Sequence, residues 1–306
     1  MTDPAPSLVT DVPDSILAGA PYRIGAVTLV AQDLGALARF YQDVIGLKAV
    51  SREPGTVRLG VGDTVLLVLR GEPDARLWTP QEAGLFHTAF LLPSRADLGA
   101  WLLHADEAGI PLTGAADHLV SEAVYLTDPE GNGIEIYVDR PSSEWQTAED
   151  GSVVMRNERL DRAGIVGAAT QTWAGIPMGG CVGHVHLQVG DLDATERFYA
   201  GLLRFDVMCR YPGALFLGSG DYHHQLAGNI WNSRGALVRV DGTTGLAEVE
   251  LFAMKEALAV VRERCHASGM PDVEDCNGLV LQDPWGTRLR LTSMSERRTT
   301  TSKALS

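Results

Sequence analysis

The sequence has 306 residues, of which 45% are hydrophobic and 21% charged, a composition typical of a folded globular protein. Its length predicts two domains, each large enough to form a core. The formal net charge of −14 disfavours nucleic acid and anionic membranes as partners, because both require clustered basic residues. The cysteines are scattered, the N-terminal residues do not resemble a signal peptide, and no apolar run is long enough to span a bilayer. These features predict a reduced, cytoplasmic protein.

A repeated segment organises the chain. The stretch 33–47 recurs as 191–205, and both copies begin with Asp-Leu and contain Arg-Phe-Tyr. The Asp of each copy is placed to cap a short amphipathic helix whose Phe-Tyr pair faces the core. A strand-like run precedes each copy and further strand-like runs follow it, which predicts a βαβββ unit. The strands that the sequence delimits are 24–30, 56–59 and 65–69 in the first copy, and 182–189, 214–217 and 223–226 in the second.

Two further units are predicted by the same pattern. One begins with the apolar run 85–92 and has a helix near 96–108, and the other begins with 246–252 and has a helix near 256–268. Both contain an Asp-Pro-x-Gly turn, at 128–131 and 283–286. The sequence therefore predicts an α+β protein of four βαβββ modules, at 24–70, 85–138, 182–229 and 246–292. These form two domains, 23–140 and 181–292, with an N-terminal extension 1–22, a linker 141–180 and a disordered tail 293–306.

Side chains that can bind a metal occupy equivalent positions on the first and last strands of modules two and three. They are His87, Glu135, His184 and His224. Modules one and four offer Ala26, Leu66 and Arg290 at such positions instead. In the last strand of module two, strand alternation turns Glu135 away from Ile134 and Ile136. A carboxylate that points inward is costly unless a metal or another cation neutralises it.

Each of these side chains alone has a simpler interpretation. A single histidine on an apolar strand is more often hydrogen-bonded within the core, and His223-His224 could be a surface pair. Glu135 could pair with Arg140 alone. Their coincidence at equivalent points of only two modules favours a metal site. Imidazole and carboxylate ligands together suit Fe(II), Mn(II), zinc or nickel.

The segment 118–135 narrows the class of protein. It reads His, five residues, an apolar residue, Tyr, two residues, Asp-Pro-x-Gly, three residues, Glu. With the four modules, this motif resembles the type I extradiol dioxygenases of the vicinal oxygen chelate superfamily. The stretches 114–145, 183–186 and 222–231 are most similar to the Bacillus-type catechol 2,3-dioxygenases. The sequence departs from the motif at Ala116, and it has Gln225 where that branch usually has a third consecutive histidine.

The resemblance implies an extradiol ring-cleaving dioxygenase that uses O₂ and a non-haem Fe(II), or Mn(II), to open a small aromatic diol. It implies three metal ligands, His87, Glu135 and His184. It also implies three catalytic groups, His224, His118 and Tyr125. Contacts to the substrate are expected from His223, His186 and Trp231. Two histidines and one carboxylate leave three positions open for the diol and O₂.

Two other functions stay open from the sequence. A lyase or isomerase of the glyoxalase I kind would use His224 as a fourth ligand around nickel or zinc, and it gives no role to His118 and Tyr125. A metal-free protein that sequesters an aromatic antibiotic leaves Glu135 unexplained. A shared metal site also requires modules two and three to face each other, within one chain or between two, so a homo-oligomer is not excluded.

Overall fold

The structure, a computed structural model, describes residues 16–270, 273–275 and 278–294. Most of the predicted extension 1–22 and of the predicted tail 293–306 therefore lies outside the described residues. Each module has the predicted order of one strand, one helical segment and three strands. Short 3₁₀ segments lie at Ile16–Gly19 and Ser142–Glu144.

The first half of the chain contains modules one and two. Module one comprises β1 (Tyr22–Ala31), α1 (Leu34–Asp43), β2 (Lys48–Glu53), β3 (Thr56–Val61) and β4 (Thr64–Gly71). Module two comprises β5 (Gly84–Leu91), α2 (Arg95–Glu107), β6 (Gly114–Asp117), β7 (Ser121–Thr127) and β8 (Gly133–Asp139). The predicted linker contains one short helix, α3 (Arg162–Gly167).

The second half contains modules three and four. Module three comprises β9 (Cys181–Gln188), α4 (Leu192–Thr195) with a π-helical continuation (Glu196–Leu202), β10 (Asp206–Tyr211), β11 (Ala214–Gly218) and β12 (Leu226–Asn229). Module four comprises β13 (Gly245–Ala253), α5 (Lys255–Ser268), β14 (Val273–Asp275), β15 (Gly278–Gln282) and β16 (Arg288–Ser293). Among the described residues, no helix is both long and apolar enough to cross a lipid bilayer.

The four modules form two eight-stranded sheets, and each sheet combines the two halves of the chain. One sheet has the order β14-β15-β16-β13-β1-β4-β3-β2, from modules four and one, and the other has β10-β11-β12-β9-β5-β8-β7-β6, from modules three and two. The central pairs β1–β13 and β5–β9 are antiparallel. Modules two and three therefore meet within one chain, as the shared metal site requires. The domain boundaries given above stay a prediction.

Local signals in the sequence account for the helix starts and the turns. The carboxylates of Asp33 and Asp191 accept hydrogen bonds from the backbone N–H groups of Ala36 and Ala194, so both cap a helix as expected. In the 128–131 turn, Asp128 accepts hydrogen bonds from two backbone N–H groups, and Gly131 adopts φ +84°, which glycine tolerates best.

The Phe-Tyr pairs connect one module to the next. The Tyr41 hydroxyl donates to the Asp128 carboxylate at 3.0 Å, and that of Tyr199 donates to Asp283 at 2.9 Å. Both tyrosines are buried. Burial raises the pKa of Asp128 to about 6, although the Asn132 side chain and backbone and the Tyr41 hydroxyl lower it. Module one thus contacts the turn of module two, and module three contacts the turn of module four.

One predicted strand is displaced. We expected a strand at 223–226, but β12 begins at Leu226, so His223 and His224 precede it. A tight turn explains the difference, because Gly220 and Asp221 have φ of +63° and +62°, and the ladder with β11 resumes where the Gln225 N–H donates to Leu217. The side chain of Gln225 is buried and bonds Ser219 and Tyr22, away from the cavity described below.

Candidate metal centre

Strand register places the predicted ligands on one face of the second sheet. Along β5, His87 and Ala89 point to the same face, and His184 and His186 do so along the antiparallel strand β9. His87 lies opposite His186, and Ala89 lies opposite His184. The parallel partner β8 places Glu135 beside Ala89 on the other side. Ala89 therefore separates a carboxylate from an imidazole, and its methyl group leaves space between them.

Three side chains converge in that space. Nε2 of His87 lies 3.0 Å from Oε2 of Glu135, Nε2 of His184 lies 3.2 Å from the same oxygen, and the two Nε2 atoms are 3.2 Å apart. Ligands about 2.1 Å from a cation lie about 3.0 Å apart at right angles, but about 3.4 Å apart in a tetrahedron. All three separations fall between these two values, so the three atoms can bind one divalent cation in either geometry. All three residues are buried.

The electrostatics favour a charged Glu135 beside an uncharged His184. Burial raises the pKa of Glu135, but His184 and His87 outweigh this effect and hold that pKa well below its usual range. Burial lowers the pKa of His184 to about 4, against an opposing effect of Glu135. An ionised carboxylate and neutral imidazoles are the forms that bind a metal. The simpler pairing with Arg140 does not occur, since Arg140 pairs with Asp117 and Glu122.

His118 and Tyr125 lie beside this centre and contact each other. Nε2 of His118 is 2.6 Å from the Tyr125 hydroxyl, and Nδ1 is 3.2 Å from the carbonyl oxygen of Arg156. A carbonyl only accepts hydrogen bonds, so Nδ1 carries the proton, and a neutral His118 accepts from Tyr125. Tyr125 pairs with Glu135 across β7 and β8. Burial, and then Glu135, raise the pKa of Tyr125 well above its ordinary value.

His223 and His224 are buried and do not form a surface pair. The ring centroid of His224 lies 4.2 Å from that of His184, one of the predicted ligands. Its Nδ1 is 2.7 Å from Nδ1 of His223. Nε2 of His223 is 2.8 Å from Oδ1 of Asp139. Among the described residues, the group of ligand atoms within 4.8 Å of one another comes from His87, Glu135 and His184, without His224.

A cavity of about 760 Å³ opens above the three ligands. Among the described residues, the cavity is lined by the three predicted ligands and by five other predicted site residues, His118, Tyr125, His186, His224 and Trp231. This described lining does not include His223, which lies behind His224. The Asn229 side-chain amide contacts His186 at 3.0 Å. Trp231 is 44% exposed and packs against Phe86 and His186, so it forms part of the rim.

Residues that sequence reasoning missed also line this cavity. The linker contributes the run 155–159, and Phe86 and Trp78 add apolar wall. Phe86 precedes His87 in β5, and its ring contacts His186 and Trp231. Strand alternation alone places it on the opposite face, and a register shift between Leu85 and His87 changes this, so no signal for it was present in the sequence. The linker has no repeat pattern and gave no signal. Phe216 also lines the cavity, whereas Phe90 belongs to the core.

The first sheet has a different arrangement at the equivalent place. The Glu250 carboxylate accepts hydrogen bonds from the Ala26 N–H and the Thr292 hydroxyl. Arg290 forms ion pairs with Glu248 and Asp275. At this place Arg290 therefore balances the charge of Glu248 and Asp275, and hydrogen-bond donors of the chain stabilise Glu250.

Comparisons with known proteins agree with this geometry. Residues 23–136 match the Glyoxalase/Bleomycin resistance protein/Dioxygenase superfamily. The Catechol-2,3-dioxygenase of Bacillus subtilis is 37% identical over 268 residues, which cover 86% of this chain and 94% of that protein. The Biphenyl-2,3-diol 1,2-dioxygenase 3 of Rhodococcus globerulus is 31% identical over 139 residues, 44% of this chain and 71% of that protein. Glyoxalase I from Zea mays has a TM-score of 0.54 at 16% identity, over 90% of this chain and 94% of that structure, a similarity of fold alone.

The chain belongs to the Glyoxalase/Bleomycin resistance protein/Dioxygenase superfamily. Within it, the similarity along most of its length to the Bacillus protein groups it with the extradiol dioxygenases of the Bacillus type. The predicted fold class and family are confirmed.

Proposed function

We propose that this protein cleaves the ring of a catechol-type diol next to its two hydroxyl groups and incorporates O₂. Fe(II), or Mn(II), would be held by His87, Glu135 and His184. The convergence of these three side chains from two modules, with ligand atoms 3.0–3.2 Å apart, is the observation that supports this function most directly. The bound metal would supply Lewis acidity and a point at which diol and O₂ meet.

His224 is proposed to act as the base toward the diol. It lines the cavity next to His184. Burial, followed by the neighbouring histidines, lowers its pKa well below the ordinary value. An uncharged imidazole at this position has a lone pair that can accept a proton from a substrate hydroxyl.

Tyr125 and His118 are proposed to bind the substrate oxygens from the other side of the cavity. The raised pKa of Tyr125, caused by burial and by Glu135, keeps its hydroxyl protonated. A protonated phenol can donate a hydrogen bond to an oxygen on which negative charge develops. His118, within 2.6 Å of that hydroxyl, orients it and can donate a proton once it is charged itself.

The roles of His186, His223 and Trp231 as substrate contacts also stay proposals. His186 and Trp231 stand on the cavity wall, where Trp231 can cover the apolar part of a ring. His223 lies behind His224, so its effect on a substrate would be indirect.

The glyoxalase-like alternative requires His224 as a fourth ligand. The compact ligand group among the described residues has three members and does not include His224. Three ligands leave room for a chelating diol and O₂, so the arrangement favours the dioxygenase. An antibiotic-binding protein would need neither the three converging ligands nor the His118–Tyr125 pair.

The deciding experiment is anaerobic loading of the full-length protein with Fe(II), or with Mn(II), followed by oxygen uptake with catechol and identification of the product. We expect one metal per chain and a product opened next to the two hydroxyls. Replacement of His224 by Phe should leave metal content unchanged and slow oxygen uptake. An equal loss of metal from His224→Phe would make His224 a ligand and favour the lyase. Absence of oxygen uptake with several diols would reject the dioxygenase.

A further inference from the structure

A buried chain of hydrogen bonds connects the cavity to a carboxylate at the end of β8. It starts at His224, continues over 2.7 Å to Nδ1 of His223, and then over 2.8 Å from Nε2 of His223 to Asp139. His223 is fully buried, and the Asp139 side chain is 20% exposed. None of these three residues belongs to the group of predicted ligands, and one of them, His224, is the residue proposed as the base.

The positions of the protons in this series of hydrogen bonds follow from the Asp139 carboxylate, which is the acceptor at its end. A carboxylate oxygen accepts hydrogen bonds, so Nε2 of His223 carries a hydrogen. A neutral imidazole has one N–H group, so Nδ1 of His223 must accept, and the donor is Nδ1 of His224. The remaining nitrogen of a neutral His224, Nε2, is then unprotonated. Nε2 is the ring nitrogen that does not contact His223, and His224 lines the cavity.

We propose that Asp139 and His223 are positioning residues that fix His224 in the tautomer with a free lone pair at Nε2. The inference rests on the proposed function for its purpose, since a base needs that lone pair on the substrate side. The same ring in the other tautomer would present an N–H group to the substrate and could not accept its proton.

Neighbouring aromatic side chains hold Asp139 and His223 in place. The Tyr222 hydroxyl donates to the same oxygen of Asp139 at 3.2 Å, and the Tyr137 hydroxyl lies 2.8 Å from that of Tyr222. The ring of Trp145 stacks edge-on over His223, with centroids 5.2 Å apart. A second proton on His223 would reverse the direction of the His223–His224 hydrogen bond, and the NMR measurement below detects that reversal.

The tautomer can be read directly by NMR, without turnover. Full-length protein labelled with ¹⁵N-histidine gives long-range ¹H–¹⁵N correlations that distinguish the two tautomers. Spectra would be recorded with Zn(II) as a diamagnetic probe and again after chelation, and the His224→Phe variant would identify the His224 signals among the eight histidines. We expect Nδ1 of His224 to be protonated and Nε2 to be unprotonated in both spectra. A protonated Nε2 in the wild-type protein overturns the proposal.

Three variants test whether Asp139 sets this state. Asp139→Ala removes the acceptor, and we expect a second population of His224 with protonated Nε2. Asp139→Asn keeps an acceptor oxygen, and Tyr222→Phe removes only the neighbouring donor, so both should retain the wild-type tautomer. Persistence of the single tautomer in Asp139→Ala, or its loss in all three variants, overturns the proposal. Unchanged His186 signals and thermal melting would show that the fold is intact.

Activity gives a second, independent readout. Loss of a residue that orients another active-site residue typically lowers activity by about 10- to 100-fold. The kcat of Asp139→Ala should therefore fall by roughly that factor, and its KM and metal content should change little. A parallel loss of metal would show that Asp139 supports the ligands instead, and it would overturn the proposal. If the wild-type protein cleaves no diol, the proposed function fails while the NMR result still decides the tautomer.

Discussion

Glu135 is the residue on which the candidate metal centre depends most. It is the one anionic side chain among the three proposed ligands, and two histidines hold its pKa low in a buried place. Glu135→Gln should lower the affinity for Mn(II) or Fe(II) by more than about 100-fold, because even contacts outside the ligand sphere contribute about 10- to 100-fold. Titration calorimetry of the protein after its metal has been removed with a chelator measures this affinity directly.

Glu122 provides a matched control for that substitution. It is also a buried glutamate of module two, but it pairs with Arg95 and Arg140, away from the ligands. Glu122→Gln should reduce the free energy of unfolding by about 1–3 kcal/mol and leave metal affinity unchanged. Similar metal affinities for the two variants would contradict the assignment of Glu135 as a ligand.

The histidines of the site make the metal-free protein sensitive to acid. Burial lowers the pKa of His184 to about 4 and shifts those of His186 and His224 well below the ordinary value. Between about pH 6.5 and pH 4 these three histidines therefore bind more protons in the unfolded chain than in the folded chain, and they lower the stability as the pH falls. Asp128, whose pKa burial raises to about 6, offsets part of this effect. The lowered pKa of Glu135 acts in the same direction at more acidic pH.

Urea unfolding of the chelated protein at a series of pH values checks this expectation. The free energy of unfolding should decrease steadily from pH 7 to pH 4, and the His184→Gln variant should show a shallower decrease. A flat profile over this range would mean that the buried histidines do not carry the depressed pKa values.

At the scale of the strands, the site depends on the register that places Ala89 between Glu135 and His184. Ala89→Leu should fill the space between these ligands, with a cost of about 1–3 kcal/mol in stability and at least a roughly tenfold loss of metal affinity. Calorimetry and urea unfolding of the same preparation separate the two effects. Metal affinity equal to that of the wild-type protein would show that the metal, if bound, lies elsewhere.

The neighbouring Thr88 is the control, because it points to the opposite face of the same strand. Its hydroxyl is buried without a hydrogen-bond partner among the described residues. Thr88→Val should therefore leave metal affinity unchanged and leave stability the same or raise it by about 1 kcal/mol.

The strands also show what could be predicted from the sequence. Alternation within β8 correctly separated Glu135 from the core residues Ile134 and Ile136, since that pattern is local. The start of β12 was wrong, because two residues with positive φ delay the strand and no periodicity signals them. The interior position of His223 was missed for the same reason, as its orientation depends on that turn and on Asp139 from another module.

At the scale of the whole molecule, the sequence predicted four modules and left open how they pair. Repeats and turns specify each module by short-range pattern, whereas the pairing of β5 with β9 joins strands almost 100 residues apart. All four first strands contain several apolar residues, so hydrophobicity alone does not select the partner. The ligand set was the more useful signal, because it required modules two and three to meet.

This pairing predicts that neither half of the chain forms the metal site alone. Residues 1–140 contain His87 and Glu135 but lack His184, and their strands β1 and β5 would lose the antiparallel partners β13 and β9. Unpaired central strands expose a full row of backbone donors and acceptors, which favours self-association. Fragments 1–140 and 141–306 expressed separately should therefore aggregate or self-associate and bind Mn(II) weakly, whereas co-expression should yield a one-to-one complex with one metal. Size-exclusion chromatography and metal analysis measure both properties, and a monomeric 1–140 fragment with full metal affinity would contradict a site shared between the halves.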